Sequence, residues 1–359
     1  MEIIVHDTIT LLRPYFTVRT RPKELFARVQ ATLLSPGGAL EALWAAMKER
    51  SRGGFDVMEA AQHDGYEVLF GQQVWGLFNP TRKIEASAWE FEQYANVDML
   101  GRLNSWLQRF AAFFAHAGMP KRIECYLLPA DPANRAFMIT THGLSCFGGV
   151  PGYLATRVWP SPGNLARLGP ALARVFAHNL RWANAPRIEP TTLGDFLVLE
   201  GLAAAFVAEI FPEQDAPWLV AFRAPDDWNA ALQSVADLYG VPRYDDLLVN
   251  VYGTTAPVGA ERPPRALPLS AEDLEYARAV IGGALDISDA RLIAAHLYGD
   301  ELLAAQGHPT VGLPPFAGFE VGYRLVQAYL EHTGESLPEA IGKPTGEILG
   351  RLGDVGLWN

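Results

Sequence analysis

Along most of the chain apolar residues recur every three or four positions, the spacing that gathers them on one face of a helix. Leu40, Leu43, Trp44 and Met47 keep that spacing, and so do Leu103, Trp106, Leu107, Phe110 and Phe114. Aromatic residues on such a stripe belong to a core, so residues 1–120 are expected to form an N-terminal helical region. The period then drops to two. Residues 122–128 alternate like a strand and end at Pro129; residues 136–141 and 153–159 read as two more, with glycine-rich 148–152 between these two. Short strands punctuated by glycine and proline describe a small sheet with tight turns.

Helical spacing returns after Pro162. Residues 164–182 carry Leu165, Leu168, Leu172 and Val175 on one stripe. Residues 191–211 form another helix, with Thr191 and Thr192 as candidate caps and a stop before Pro212. A proline-rich connector spans 256–269, and three further helices are expected near 270–285, 289–305 and 318–332. No repeat or low-complexity tract interrupts this plan. Helices, a short sheet and then a helical half make an α+β fold, mostly helical, and not an alternating βαβ one.

Composition narrows the function. Of the 359 residues 49% are hydrophobic and 19% charged, ample material for a buried core. A net charge of -11 with scattered arginines argues against a nucleic-acid surface, which needs clustered Lys and Arg. The N-terminus places Glu2 where a secretory leader carries positive charge, and the most apolar helix, 196–211, is broken by Glu200 and Glu209. Cys125 and Cys146 are too few to staple a chain of this size. A reduced, cytoplasmic protein without membrane or nucleic-acid partners is expected; the oligomeric state is not readable.

The common glycine-rich nucleotide loops and the G-x-S-x-G elbow are absent. Cys146 follows His142 by four residues, which invites a Cys–His nucleophile, although a buried free cysteine is the commoner state of such a residue. Histidine spacing is more informative. A zinc-hydrolase helix needs two His at i and i+4, so that both reach one tetrahedral ion. The histidines stand at 6, 63, 116, 142, 178, 296, 308 and 332, never closer than the 12 residues from His296 to His308. Yet the apolar approach to His178 in Leu172–Ala173–Arg174–Val175–Phe176–Ala177–His178–Asn179–Leu180–Arg181–Trp182 is that of an HExxH helix. Glu200–Gly201–Leu202–Ala203 follows 22 residues beyond His178 on the next predicted helix.

In this order of elements the chain resembles the bacterial predicted zinc-dependent proteases that carry an HExxH helix followed by an EGLA helix. Tyr298–Gly299–Asp300 and the stretch from Phe316 to Leu330 extend the resemblance, which covers residues 120–350. It implies a zincin-like domain over 121–359: a small sheet at 121–160 beside the metal-binding helix, helices at 162–211, and a C-terminal helical part at 226–359. It also implies roles. His178 and Glu200 match two zinc-ligand positions. Asn179 stands at the general-base position, and an amide cannot take a proton from metal-bound water. Trp182 stands at the remaining ligand position, and an indole has no lone pair to offer. Ala204 stands where the family often has an acid.

The implied protein is metallopeptidase-like, without a complete zinc site, metal ligand set or cofactor, and binds a peptide or small molecule in its cleft as a pseudoenzyme. Asn179, Arg181 and Trp182 would line that pocket with amide, charge and stacking surface. Tyr323 and Arg324 on the closing helix could project into it, or serve packing. Two alternatives stay open. One is a repurposed enzyme with His178 as acid/base oriented by Glu200 and a substrate anion held by Arg181 or Arg324. The other is an atypical metal hydrolase completed by His296 or His308. A hydrogen-bonded core pair of His178 and Glu200 is the plainest reading.

Overall fold

A computed structural model describes residues 1–16, 21–50, 91–184, 191–246, 266–303 and 309–354, apart from 116, 119 and 133. In chain order its elements are β1 (Glu2–Asp7), α1 (Thr8–Leu12), α2 (Pro22–Leu33), α3 (Glu41–Arg50), α4 (Met99–Phe113), β2 (Arg122–Pro129) and α5 (Arg135–Thr141). Then come β3 (Leu144–Val150), β4 (Tyr153–Val158), α6 (Pro162–Asn184), α7 (Leu193–Ile210) and α8 (Trp228–Leu238). The last are α9 (Ala271–Gly282), α10 (Ala290–Tyr298), α11 (Asp300–Leu303), α12 (Ala317–Thr333), α13 (Leu337–Ala340) and α14 (Thr345–Asp354). This is an α+β fold, mostly helical, with one small mixed sheet among the described residues.

The sheet order is β1-β2-β4-β3, with the first three strands parallel and β3 antiparallel on the edge. Two expectations need correction here. Residues 2–7 are a strand and not part of a helical region. Glu2 pairs with Arg122, and His6 lies 2.7 Å from the Glu124 carboxylate while its ring stacks on Tyr126. Residues 136–141 lie in a helix and not a strand, and it is Leu144–Val150, running into the glycine-rich 148–152, that pairs antiparallel with β4. Phe137, Ile139 and Thr141 favour strands intrinsically, but the Asn134 side chain accepts from the Phe137 N–H and caps a helical turn. The turn then ends on His142 in the left-handed region (φ 52°).

The expected stripes form the core. Leu103, Leu107, Phe110 and Phe114 are fully buried, and Phe110 and Phe114 meet Phe206 of α7 with ring centroids 5.3 and 4.7 Å apart. Phe176 of α6 joins the same cluster, 5.5 Å from Phe110. Such edge and tilted aromatic contacts add to area burial. Helix α6 lies against β3 and β4 on one side and α7 on another, and α7 packs along α12. Two close approaches depend on glycine. A side chain at Gly148 of β3 would collide with the Val175 carbonyl of α6, and one at Gly201 of α7 with the Gly322 carbonyl of α12. Thr192 caps α7 in a reciprocal box with Asp195. The proline-rich connector falls largely outside the described residues.

Candidate functional site

Helices α6 and α7 present their facing sides to each other, and this brings His178 and Glu200 together. His178 Nε2 lies 3.1 Å from Glu200 Oε2, and the two residues are 9% and 8% exposed. A third side chain completes the pair. Arg174, one turn before His178 on the same stripe, forks onto the carboxylate: its Nε donates to Oε2 at 2.9 Å and an Nη to Oε1 at 2.7 Å. A bidentate guanidinium–carboxylate pair is among the strongest hydrogen-bonded arrangements available to a protein. Its charge lies over two rings, 5.4 Å from the Phe222 centroid and 5.8 Å from that of Phe319. Tyr298 closes the box, its ring 5.9 Å from Phe222 and 5.1 Å from Phe319.

The electrostatics follow. Burial alone would raise the Glu200 pKa, but Arg174, and after it His178, outweigh that penalty and hold the carboxyl at about 2. Burial pushes the Tyr298 phenol up, with Arg174 opposing and Glu200 reinforcing the shift. Arg174, Phe222, Phe319 and Tyr298 were not singled out from the sequence. One signal was available for Arg174: a cation at i−4 from His178 sits on the face where a metal ion would carry the charge.

Asn179 points elsewhere. Its side-chain nitrogen donates to the carbonyls of Val150 (2.5 Å), Tyr153 (2.9 Å) and Gly148 (3.2 Å), while its oxygen accepts from the Gly152 N–H (2.9 Å). It is wholly buried and ties the β3–β4 turn to α6. Arg181 is 3% exposed, and its guanidinium donates to the carbonyls of Ile341 and Lys343 and to Thr345 Oγ1, anchoring the C-terminal segment. Trp182 is half-buried on the last turn of α6.

Tyr323 stacks on Trp218 at 4.9 Å. Exposed Arg324 lies 5.3 Å over the same Trp218 ring and 3.3 Å from Glu320. No hydrogen bond, ion pair or ring contact joins Tyr323 or Arg324 to His178 or Glu200. His296 Nδ1 bonds its own helix at the Leu292 carbonyl, 2.8 Å away, and His308 is outside the described residues. Cys146 is protonated at neutral pH, because burial pushes its thiol up to about 11. It sits 3.6 Å from the Thr156 hydroxyl, which donates to it. Among the described residues no group of three or more His, Cys, Asp or Glu is placed to hold a metal ion.

A mostly helical α+β fold with a small mixed sheet beside a His-bearing helix, and a Glu supplied by the following helix, agrees with the order of elements that the resemblance to predicted zinc-dependent proteases implies. The chain belongs to the family described as predicted Zn-dependent protease (DUF2268), whose model matches residues 104–259 and 251–350. It is also similar to the uncharacterized protein YjfC of Bacillus subtilis (strain 168), 25% identical over 366 residues, 98% of this chain and 99% of that protein. No solved structure matches the chain.

Proposed function

We propose that this member of the predicted Zn-dependent protease family does not hydrolyse peptides through zinc, and acts as a cytoplasmic peptide- or small-molecule-binding pseudoenzyme. One observation carries the reading: both oxygens of Glu200 are engaged by the Arg174 fork. The donors do not fit a hydrolytic zinc. The ion needs three protein ligands and a water, yet Glu200, the carboxylate beside His178 among the described residues, is held by a guanidinium. The ligand position four residues after His178 is an indole, and the base position is an amide turned into the β3–β4 turn. Arg174 supplies the positive charge that a metal would bring to Glu200, so His178 and Glu200 keep their mutual geometry without one.

A ligand bound at this position would meet the fixed charge of Arg174 and the aromatic rings of Phe222 and Tyr298. The reading of the compartment is supported by two free cysteines and by the absence, among the described residues, of any helix long and apolar enough to cross a membrane. A repurposed enzyme using His178 is favoured by the His178–Glu200 contact itself, since a carboxylate that fixes one ring nitrogen orients the other for proton transfer. The test is metal analysis of protein purified without an affinity tag, together with a peptide-cleavage assay. Well under one zinc per chain and no cleavage are expected. Stoichiometric zinc with cleavage lost in His178→Ala overturns the proposal, and metal-free turnover lost in His178→Ala selects the repurposed enzyme.

A further inference from the structure

Three buried side-chain atoms without a hydrogen-bond partner among the described residues lie near the N-terminal half of α6: His142 Nδ1, Arg167 Nε and Asp227 Oδ1. Buried polar atoms are nearly always paired, so such a cluster marks polar groups packed without full matching. These three atoms are shut off from solvent, and a ligand would meet the other polar atoms of Arg167 and Asp227. Arg167 and Asp227 line one cavity of about 550 Å³, within the range of small-molecule sites (roughly 300–1,000 Å³).

The rest of each side chain is fixed. An Arg167 Nη donates to Asn164 Oδ1 at 2.9 Å and another to the Ala221 carbonyl at 3.4 Å. Asp227 Oδ2 accepts from the Gly163 N–H at 3.0 Å, and any side chain at Gly163 would collide with that carboxylate. His142 meets Trp228 edge-on at 5.3 Å. Burial, and after it Arg167, pulls the His142 pKa to about 4, so its ring is neutral at pH 7. Pro170, which also lines the cavity, has no N–H to offer the carbonyl of Ala166, another lining residue.

The cavity therefore offers a cationic donor at Arg167, a carboxylate at Asp227 and, at Ala166, a carbonyl without its helical donor. Arg223 at the rim is paired to Asp215 at 2.6 Å. Leu219, Val220 and Pro170 supply apolar wall beside these groups, and Gln214 and Asp226 add polar surface. A ligand that satisfies both charges carries one negative and one positive group on a small body.

We propose that this cavity binds a small zwitterion, a free α-amino acid or a dipeptide, with its carboxylate on Arg167 and its ammonium on Asp227. The site lies upstream of His178 on the same helix and does not depend on the fate of the metal position.

The experiment is titration of the full chain, by calorimetry and ligand-observed NMR, with the standard L-amino acids and glycyl-L-leucine. The best binder is then compared with its N-acetyl and C-terminal amide forms. A zwitterion should bind about tenfold or more tightly than either capped form, as expected when one charged hydrogen bond is lost. Arg167→Gln should weaken the zwitterion by a similar factor. Should Arg167→Gln fail to fold by circular dichroism, Ala166→Leu narrows the cavity without removing either charge and should abolish binding. The proposal is overturned if no probe binds, if the capped forms bind as well as the zwitterion, or if the folded variants bind like the native chain.

Discussion

The two halves of α6 solve the problem of buried charge in opposite ways. Around His178 the polar groups are matched: Glu200 by Arg174 and His178, Asn179 by four backbone groups, Arg181 by two carbonyls and a hydroxyl. Around Arg167 they are left incomplete, on a cavity wall. The helix turn to which the family pattern points is therefore electrostatically closed, and the open chemistry lies upstream of it. Charges that are fully matched hold a helix in place, whereas polar atoms left unmatched call for their own explanation.

The largest expected effect comes from breaking the closed half. Arg174→Met leaves the Glu200 carboxylate buried with only His178, and should cost about 3–5 kcal/mol in urea denaturation. A loss below about 1 kcal/mol would mean that the fork is incidental. The same pair sets an acid limit. The Glu200 pKa falls from 4.5 to about 2 on folding, which contributes on the order of 3 kcal/mol. A depressed carboxyl stabilises fully above its unfolded value, so stability should fall as pH drops from 4.5 toward 2. In Arg174→Met that part of the pH profile should flatten; a profile unchanged from the native chain would assign acid sensitivity to other groups.

Asn179→Ala should cost about 2–3 kcal/mol by stranding three carbonyls and an N–H of the β3–β4 turn. Asn179→Glu should be no better, because it turns a carboxylate toward those carbonyls. If Asn179→Glu is as stable as the native chain, the amide is not a clamp. Smallest of all, Arg324→Ala removes an exposed guanidinium from Trp218 and from the buried Glu320 carboxylate, whose other oxygen keeps the Leu269 N–H, and should cost about 1 kcal/mol or less. A larger loss would tie the Tyr323–Arg324 patch to the core.

Much of this was legible in the sequence. The 3.6 period located α4, α6, α7 and α12, because long amphipathic helices carry their burial pattern within themselves. The alternation located β2 and β4. Strand β1 was hidden because its partner lies more than a hundred positions away in β2, and Ile3–Ile4–Val5 carries no clean alternation to reveal the pairing. Residues 136–141 misled through strand-favouring side chains, overruled by the Asn134 cap. At the site, His178 and Glu200 could be paired from spacing along two helices. Arg174 could not be assigned, because its meaning comes from Glu200, Phe222 and Phe319 arriving from three other segments. The direction of Asn179 was likewise set by tertiary contact with the β3–β4 turn, which no spacing along α6 reports.

The central claim is that Arg174 stands in the place of a metal cation on Glu200, and zinc titration of two variants tests it most directly. Trp182→His alone restores a ligand type but leaves the Arg174 fork on the carboxylate, so it should bind zinc weakly or not at all. Arg174→Ala combined with Trp182→His frees Glu200 beside two imidazoles and should bind one zinc per chain, far more tightly. Equal zinc affinity in the two variants, whether tight or absent, would contradict the account.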